Sequence, residues 1–316
     1  MKLLLPDTVS LSLQLPAGWD AVVVDSAEEI PRQHWDADAL ATWGPSARHL
    51  DSAAENLRAL QLVQSLSSGV EAILRRGFRP ETVIANGAGL HNRTVAEHTL
   101  ALLLALVRRL PTALEHQQRH DWSRELGGIQ KLHPGDRVTT LLDARILIWG
   151  FGSIAQTLAP ILTALGATVT GVARHPGERA GFGVVEAGRL QDELPATDVL
   201  ISVLPATEST RGVVGADVFD ALPTRALFVS VGRGDVVDQS ALISALRTGA
   251  ISGAALDVTT PEPLPTTDPL WDAPNLIITP HAAGGRPVGA ERLIERNLRA
   301  LGGDGTIQNR IDRSAS

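Results

Sequence analysis

The chain has 316 residues, with 28 Lys and Arg against 35 Asp and Glu, for a formal charge of −7. That length suits two domains of ~100–200 residues, with three as the alternative, and the acidic balance argues against a broadly basic face for nucleic acid or anionic lipid. There is no cysteine, which excludes disulfides, thiolate metal sites and cysteine nucleophiles and fits a cytoplasmic protein.

In chain order, short apolar runs predict strands at Leu3–Leu5, Val22–Asp25, Leu40–Trp43, Leu60–Gln64 and Val83–Ala85. The first run is too short for a signal-peptide core and reads as a strand. Thr94–Leu110 predicts a helix apolar almost all round, ending at Arg108-Arg109 and Pro111. Such a helix is expected to be buried, here between two domains. Glu97 and His98 lie on it, and a buried glutamate needs a partner, so a structural pairing is expected there. Its greasiest part, Thr99–Val107, is far short of the ~20 residues a membrane span needs.

Thr112–Val138 is polar, carries His116, His120 and His133, and reads as a connection with a helical start. The histidines lack the H-E-x-x-H spacing of a metal site, so no metal is expected. A second set of strands is predicted at Ile146–Trp149, Thr168–Val172, Val199–Val203, Leu227–Val231, Ala254–Val258 and Leu276–Ile278. Pro261–Pro269 is proline-rich and reads as an irregular loop. The tail Ser314-Ala315-Ser316 is expected to fray. Trp43, Trp122 and Trp149 read as packing residues, with Trp43 or Trp122 as alternatives for lining a substrate cleft. Continuous apolar strands alternating with helices imply an α/β protein whose parallel sheets are covered on both faces.

Ile146–Trp149 runs straight into Gly150-Phe151-Gly152-Ser153-Ile154-Ala155, and a helical pattern follows. This is the G-x-G-x-x-G/A dinucleotide fingerprint in its required strand-to-helix setting. Gly150 allows the tight turn, Gly152 lets a pyrophosphate approach the backbone, and Ala155 permits close helix–strand packing. The helix start then offers N–H groups to phosphates. NAD-preferring versions carry an acid after the next strand. Here Thr168–Val172 is followed by Ala173-Arg174-His175. Arg174 can pair with a 2′-phosphate, and His175 can add a contact. NADP(H) is therefore favoured, with NAD(H) possible and a plain surface arginine as the alternative.

Arg233, Glu262 and His281 each follow a late strand of this half. In an open α/β sheet, ligands bind outside the carboxyl ends of the strands, so all three point at one crevice. Singly, each reads as a surface arginine, a loop glutamate or a capping histidine. All three together, downstream of a dinucleotide turn, argue against those bland readings.

These residues carry a resemblance. The matching pieces are Ser67-Ser68-Gly69-Val70-Glu71, Val95-Ala96-Glu97-His98, Gly150–Ala155, Pro205 with Thr207 and Thr210, Gly232-Arg233-Gly234, Leu256-Asp257-Val258 and Pro280-His281. In order and spacing they resemble the D-isomer-specific 2-hydroxyacid dehydrogenase family, which includes hydroxypyruvate and glyoxylate reductases. The resemblance implies two Rossmann/flavodoxin-like, doubly wound parallel-sheet domains with a cleft between them. Residues 1–92 plus 285–316 would bind substrate, and 93–284 would bind the dinucleotide. It also implies His281 as general acid/base, Glu262 as its partner and Arg233 as the substrate-binding arginine. Ser68 and Gly69 would hold the substrate carboxylate, Pro205 and Thr210 would line the cofactor site, and Asp257 would contact the nicotinamide. The expected reaction is hydride transfer between a nicotinamide cofactor and a small 2-oxo or 2-hydroxy acid, in a homodimer. A nucleotide-sensing binding protein or corepressor on the same scaffold is the alternative.

Overall fold

The computed structural model describes the whole chain except Gln130, His133 and residues 314–316. The expected fraying of the tail, and His133 of the polar connection, lie outside the described residues. The chain divides into two compact units, Met1–His91 with Arg286–Ser316, and Asn92–Gly285.

The first unit holds strands β1 (Lys2–Pro6), β2 (Asp20–Val24), β3 (Ala39–Thr42), β4 (Leu62–Ser65) and β5 (Val83–Ala85). They form one parallel sheet in the order β2-β1-β3-β4-β5, which is the flavodoxin-like order. Helices α1 (Ala47–Asn56), the short α2 (Glu71–Leu74) and, near the end of the chain, α9 (Ala290–Leu301) cover it. Ser46 starts α1 by accepting from the His49 N–H at 3.1 Å, a cap of the kind worth about 1 kcal/mol. On α9 the residues Leu293, Ile294, Asn297 and Leu298 are buried while Arg292, Arg296 and Arg299 face out. This is the stripe that a 3.6-residue period dictates.

The second unit opens with α3 (Asn92–Val107) and α4 (Leu110–Gln118). Strands β6 (Arg145–Trp149), β7 (Thr168–Ala173), β8 (Gly177–Arg179), β9 (Phe182–Glu186), β10 (Val199–Ser202), β11 (Leu227–Ser230), β12 (Gly253–Leu256) and β13 (Leu276–Ile278) follow. Between them run α5 (Ser153–Ala164), α6 (Leu190–Glu193), α7 (Ala216–Ala221) and α8 (Gln239–Thr248). The sheet order is β13-β12-β11-β10-β6-β7-β9-β8, parallel except that β8 pairs antiparallel with β9. Within it, β9-β7-β6-β10-β11-β12 repeats the doubly wound 3-2-1-4-5-6 order, whose direction reverses beside β6.

Alternate residues along these strands feed two cores, because successive side chains point to opposite faces. Ile146, Ile148, Val199, Ile201, Leu227 and Val229 pack with α3 and α5. Leu147, Trp149, Leu200, Phe228 and Leu256 pack with α7 and α8. The continuous apolar runs therefore correspond to strands covered on both sides.

The fold departs from the sequence reading in three places. The helix expected over Thr94–Leu110 ends at Val107, Arg109 takes a left-handed φ of 51°, and α4 begins at Leu110 with Pro111 in its first turn. Proline lacks an N–H and suits a first turn, so it starts the second helix rather than closing the first. Burial of α3 within its unit is one-sided: Val95, Ala96, Thr99, Leu102, Leu103 and Val107 are covered, but Ala101 and Glu97 are exposed. Glu97 therefore has no desolvation cost to offset. The β8–β9 hairpin was not foreseen. Its two-residue turn, Ala180-Gly181, has φ values of 52° and 81°, the left-handed pair that suits the twist of a tight hairpin. Among the described residues no helix is long and apolar enough to cross a membrane.

Candidate active site

All but one strand of the second sheet run parallel, so the turns after β6, β7, β10, β11, β12 and β13 emerge along one edge. The first of these turns is set by Gly150. Its φ is 99°, and a Cβ there would stand 2.6 Å from the Val203 carbonyl oxygen, so only glycine fits. Gly152 precedes α5, and nothing lies within 4 Å of where its Cβ would be. The backbone at the helix start is therefore open to a phosphate, and Ala155 is fully buried beneath it. These residues fit a dinucleotide pyrophosphate. The Ser153 hydroxyl bonds Asn92 Oδ1 at 3.0 Å, and Ile154 is half-buried. Phe151 differs from its neighbours: its ring is buried in the core, 6.1 Å from that of Phe182. It belongs to the packing beneath the turn rather than to the turn's open face.

Arg174 and His175 are exposed at the end of β7. Arg179, on β8, was missed in the sequence. Its guanidinium donates to the Phe151 carbonyl at 3.1 Å and the His175 carbonyl at 2.8 Å, tying the glycine turn to the loop that carries Arg174. The available signal was a second arginine before an Ala-Gly turn. After β10, the Thr210 hydroxyl bonds the Pro205 carbonyl at 2.6 Å and receives the Thr207 N–H at 2.8 Å, closing a small turn.

Arg233 follows β11, half-buried, with Nη1 donating to the Gly232 carbonyl at 2.9 Å. A Cβ on Gly232 would meet the backbone nitrogen of Leu204 at 2.7 Å, so glycine lets this turn lie against the end of β10. Glu262 and His281 come together. His281 Nδ1 lies 2.8 Å from Glu262 Oε2, and Glu262 Oε1 accepts the Thr259 N–H at 3.0 Å. The imidazole and the carboxylate are 47% and 38% exposed, so the pair stays open to a ligand. Asp257, at the end of β12, is only 1% exposed. Its Oδ1 accepts from the Thr279 hydroxyl at 2.6 Å and the Ala282 N–H at 2.8 Å, and its Oδ2 accepts from the Ala283 N–H at 3.0 Å. Thr279 and His98 were not singled out for this network by the sequence reading.

In the first unit, Ser68 is exposed after β4, and its carbonyl accepts from Asn86 Nδ2 at 2.9 Å. Trp43 stacks on His91 with ring centroids 5.2 Å apart, a packing role. Trp122 is 92% exposed, which overturns the packing expectation for it. His116 pairs with Asp121 at 2.6 Å. Among the described residues no cluster of three His, Asp or Glu side chains is arranged to hold a metal ion.

Comparison with known proteins gives the family. The family described as "D-isomer specific 2-hydroxyacid dehydrogenase, NAD binding domain" matches residues 100–283. A glyoxylate reductase/hydroxypyruvate reductase of Mus musculus is 34% identical over 242 residues, which cover 73% of this chain and 69% of the relative. A solved D-isomer specific 2-hydroxyacid dehydrogenase family protein from Aeromonas salmonicida matches with a TM-score of 0.82 at 29% identity, covering 99% of this chain and 98% of that one. Another, from Xanthobacter autotrophicus and solved with NADPH and MES, matches with a TM-score of 0.77 at 27% identity, covering 95% and 91%. The doubly wound sheet, its glycine turn and these likenesses define an NAD(P)-dependent oxidoreductase. The chain belongs to the D-isomer specific 2-hydroxyacid dehydrogenase family.

Proposed function

We propose that the protein reduces a small 2-oxo acid to the D-2-hydroxy acid, prefers NADPH over NADH, and runs the reverse oxidation when product accumulates. The observation that carries this reading is the 2.8 Å hydrogen bond between His281 and Glu262, on the sheet edge that also bears the glycine turn. The name of the mouse relative supports glyoxylate and hydroxypyruvate as substrates. The exposed Arg174, standing where NAD-preferring proteins carry an acid, supports a 2′-phosphate on the cofactor.

A bound nicotinamide supplies the hydride. The open backbone at Gly152, Ser153 and Ile154 would hold the pyrophosphate, Arg174 and His175 its 2′-phosphate end, and the Pro205–Thr210 turn the cofactor's flank. The resemblance assigns the carboxamide contact to Asp257, at the end of β12. Arg233 binds the carboxylate and carbonyl of the oxo acid through its planar fork, and it stabilises negative charge as that charge grows on the carbonyl oxygen. His281 donates a proton from Nε2, because Nδ1 faces Glu262. Glu262 orients the ring and offsets the charge of the imidazolium.

The segment 110–142 exposes Leu110, Leu114, Trp122, Ile129, Leu132 and Leu142. That apolar surface supports a homodimer, which sedimentation equilibrium reads as twice the chain mass.

The function is tested by mixing the protein with NADPH or NADH and a panel of 2-oxo acids while following absorbance of the reduced nicotinamide. Turnover of glyoxylate or hydroxypyruvate, faster with NADPH, is expected. No turnover with any acid overturns the reading.

A further inference from the structure

His98 is a polar residue in the largely apolar α3, and its side chain is 23% exposed. Its Nε2 lies 3.0 Å from Thr279 Oγ1 and 3.1 Å from Asp257 Oδ1. The Thr279 hydroxyl spends its proton on Asp257 Oδ1, at 2.6 Å. Both neighbours of Nε2 are therefore acceptors, which assigns the proton to Nε2 and makes His98 the donor.

Asp257 in turn organises the turn that carries His281. Its carboxylate accepts the N–H groups of Ala282 and Ala283, and its backbone carbonyl accepts the His281 N–H at 2.8 Å. His281 itself sits at a φ of 50°. That left-handed conformation is uncommon for a non-glycine residue, and here three hydrogen bonds to Asp257 hold the turn in it. A buried carboxylate also needs its acceptor positions filled to stay where it is. A leucine in place of His98 would pack as well on the helix, but it would leave Asp257 and Thr279 one donor short.

We propose that His98 is a positioning residue: acting through Asp257 and Thr279, it locks the turn that places the His281 imidazole, without touching substrate. The kinetic consequence rests on the role given to His281 above, whereas the structural consequence does not.

The test uses the full chain as wild type, H98L and H98Q. The Gln amide brings an N–H group close to the position of Nε2. Two readouts are taken: amide hydrogen exchange at Ala282 and Ala283, and kcat against KM with NADPH and the best oxo acid. In H98L both amides should exchange at least about tenfold faster, while those of α5 and α8 hold their rates. Its kcat should fall roughly 10–100-fold, with KM for NADPH within about twofold. H98Q should recover both readouts to within about threefold of wild type.

Unchanged exchange at Ala282 and Ala283 in H98L overturns the proposal, as does equal acceleration across α5 and α8. So does an H98Q that performs no better than H98L. Should H98L fail to fold, H98Q decides alone: near-wild-type exchange and kcat support the proposal, and loss of either overturns it. A wild type inactive on every oxo acid sinks the proposed function, while the exchange readout still decides the role of His98.

Discussion

His281 Nδ1 and Glu262 Oε2 stand 2.8 Å apart, and the other oxygen of that carboxylate is fixed by the Thr259 N–H at 3.0 Å. Glu262 is thus held at both ends, by backbone on one side and imidazole on the other. Glu262→Gln keeps the shape but removes the charge that balances a protonated ring. Its kcat is expected to fall roughly 10–100-fold, with little change in KM for NADPH. Steady-state kinetics on the purified variant checks this.

Two arginines beside the glycine turn should behave differently. Arg174 is exposed, whereas Arg179 is engaged with the carbonyls of Phe151 and His175. Arg174→Ala should weaken NADPH by roughly tenfold or more and leave NADH nearly unchanged, since it removes one charge-assisted contact to a 2′-phosphate. Arg179→Ala should weaken both cofactors, because it unties the two loops that any dinucleotide meets. Fluorescence titration with each cofactor separates the two patterns.

Asn297 is fully buried in the first unit. Its Nδ2 donates to Gln64 Oε1 at 2.6 Å and to the Gln308 carbonyl at 3.1 Å, and its Oδ1 accepts the Gln308 N–H at 2.8 Å. Asn297→Ala leaves the buried Gln64 Oε1 without this donor, worth ~1–3 kcal/mol, and also frees two part-buried backbone groups of Gln308. A loss of about 2–4 kcal/mol is expected, read as a lower urea midpoint.

Much of this is legible in the amino-acid sequence. Gly150 and Gly152 lie between a strand and a helix, and that context made the turn recognisable. The continuous apolar strands announced a parallel sheet, because both of their faces are covered. Other features were hidden for physical reasons. The β8–β9 hairpin has a three-residue exposed strand, too short for any periodicity. The break at Arg109 looked like a helix end because Pro111 suits a stop as well as a start. His98 and Thr279 are 181 positions apart, and no local pattern can pair residues at that separation. Glu97 was judged by its apolar neighbours along the chain, but it points away from the sheet they cover.

Stability should also carry a small acid-sensitive part in the first unit. The Ser26 N–H donates to Asp7 Oδ1 at 2.9 Å, and this hydrogen bond, helped by the Ser26 side chain, holds the Asp7 carboxyl below its ordinary value. A carboxylate lowered in the folded state stabilises fully above its unfolded value of about 3.9. The contribution is lost as pH falls through the lower folded value. Asp7→Ala should therefore lower the urea midpoint at neutral pH, and the gap to wild type should close as pH drops below the carboxylate range.

The central claim is that His281 delivers the proton while other residues hold the cofactor, and His281→Ala tests it most directly. One preparation is used both to titrate NADPH binding and to measure turnover of the best oxo acid. NADPH affinity within about twofold of wild type, with kcat down by roughly 100-fold or more, is the predicted result. Turnover equal to that of the wild type would contradict the account.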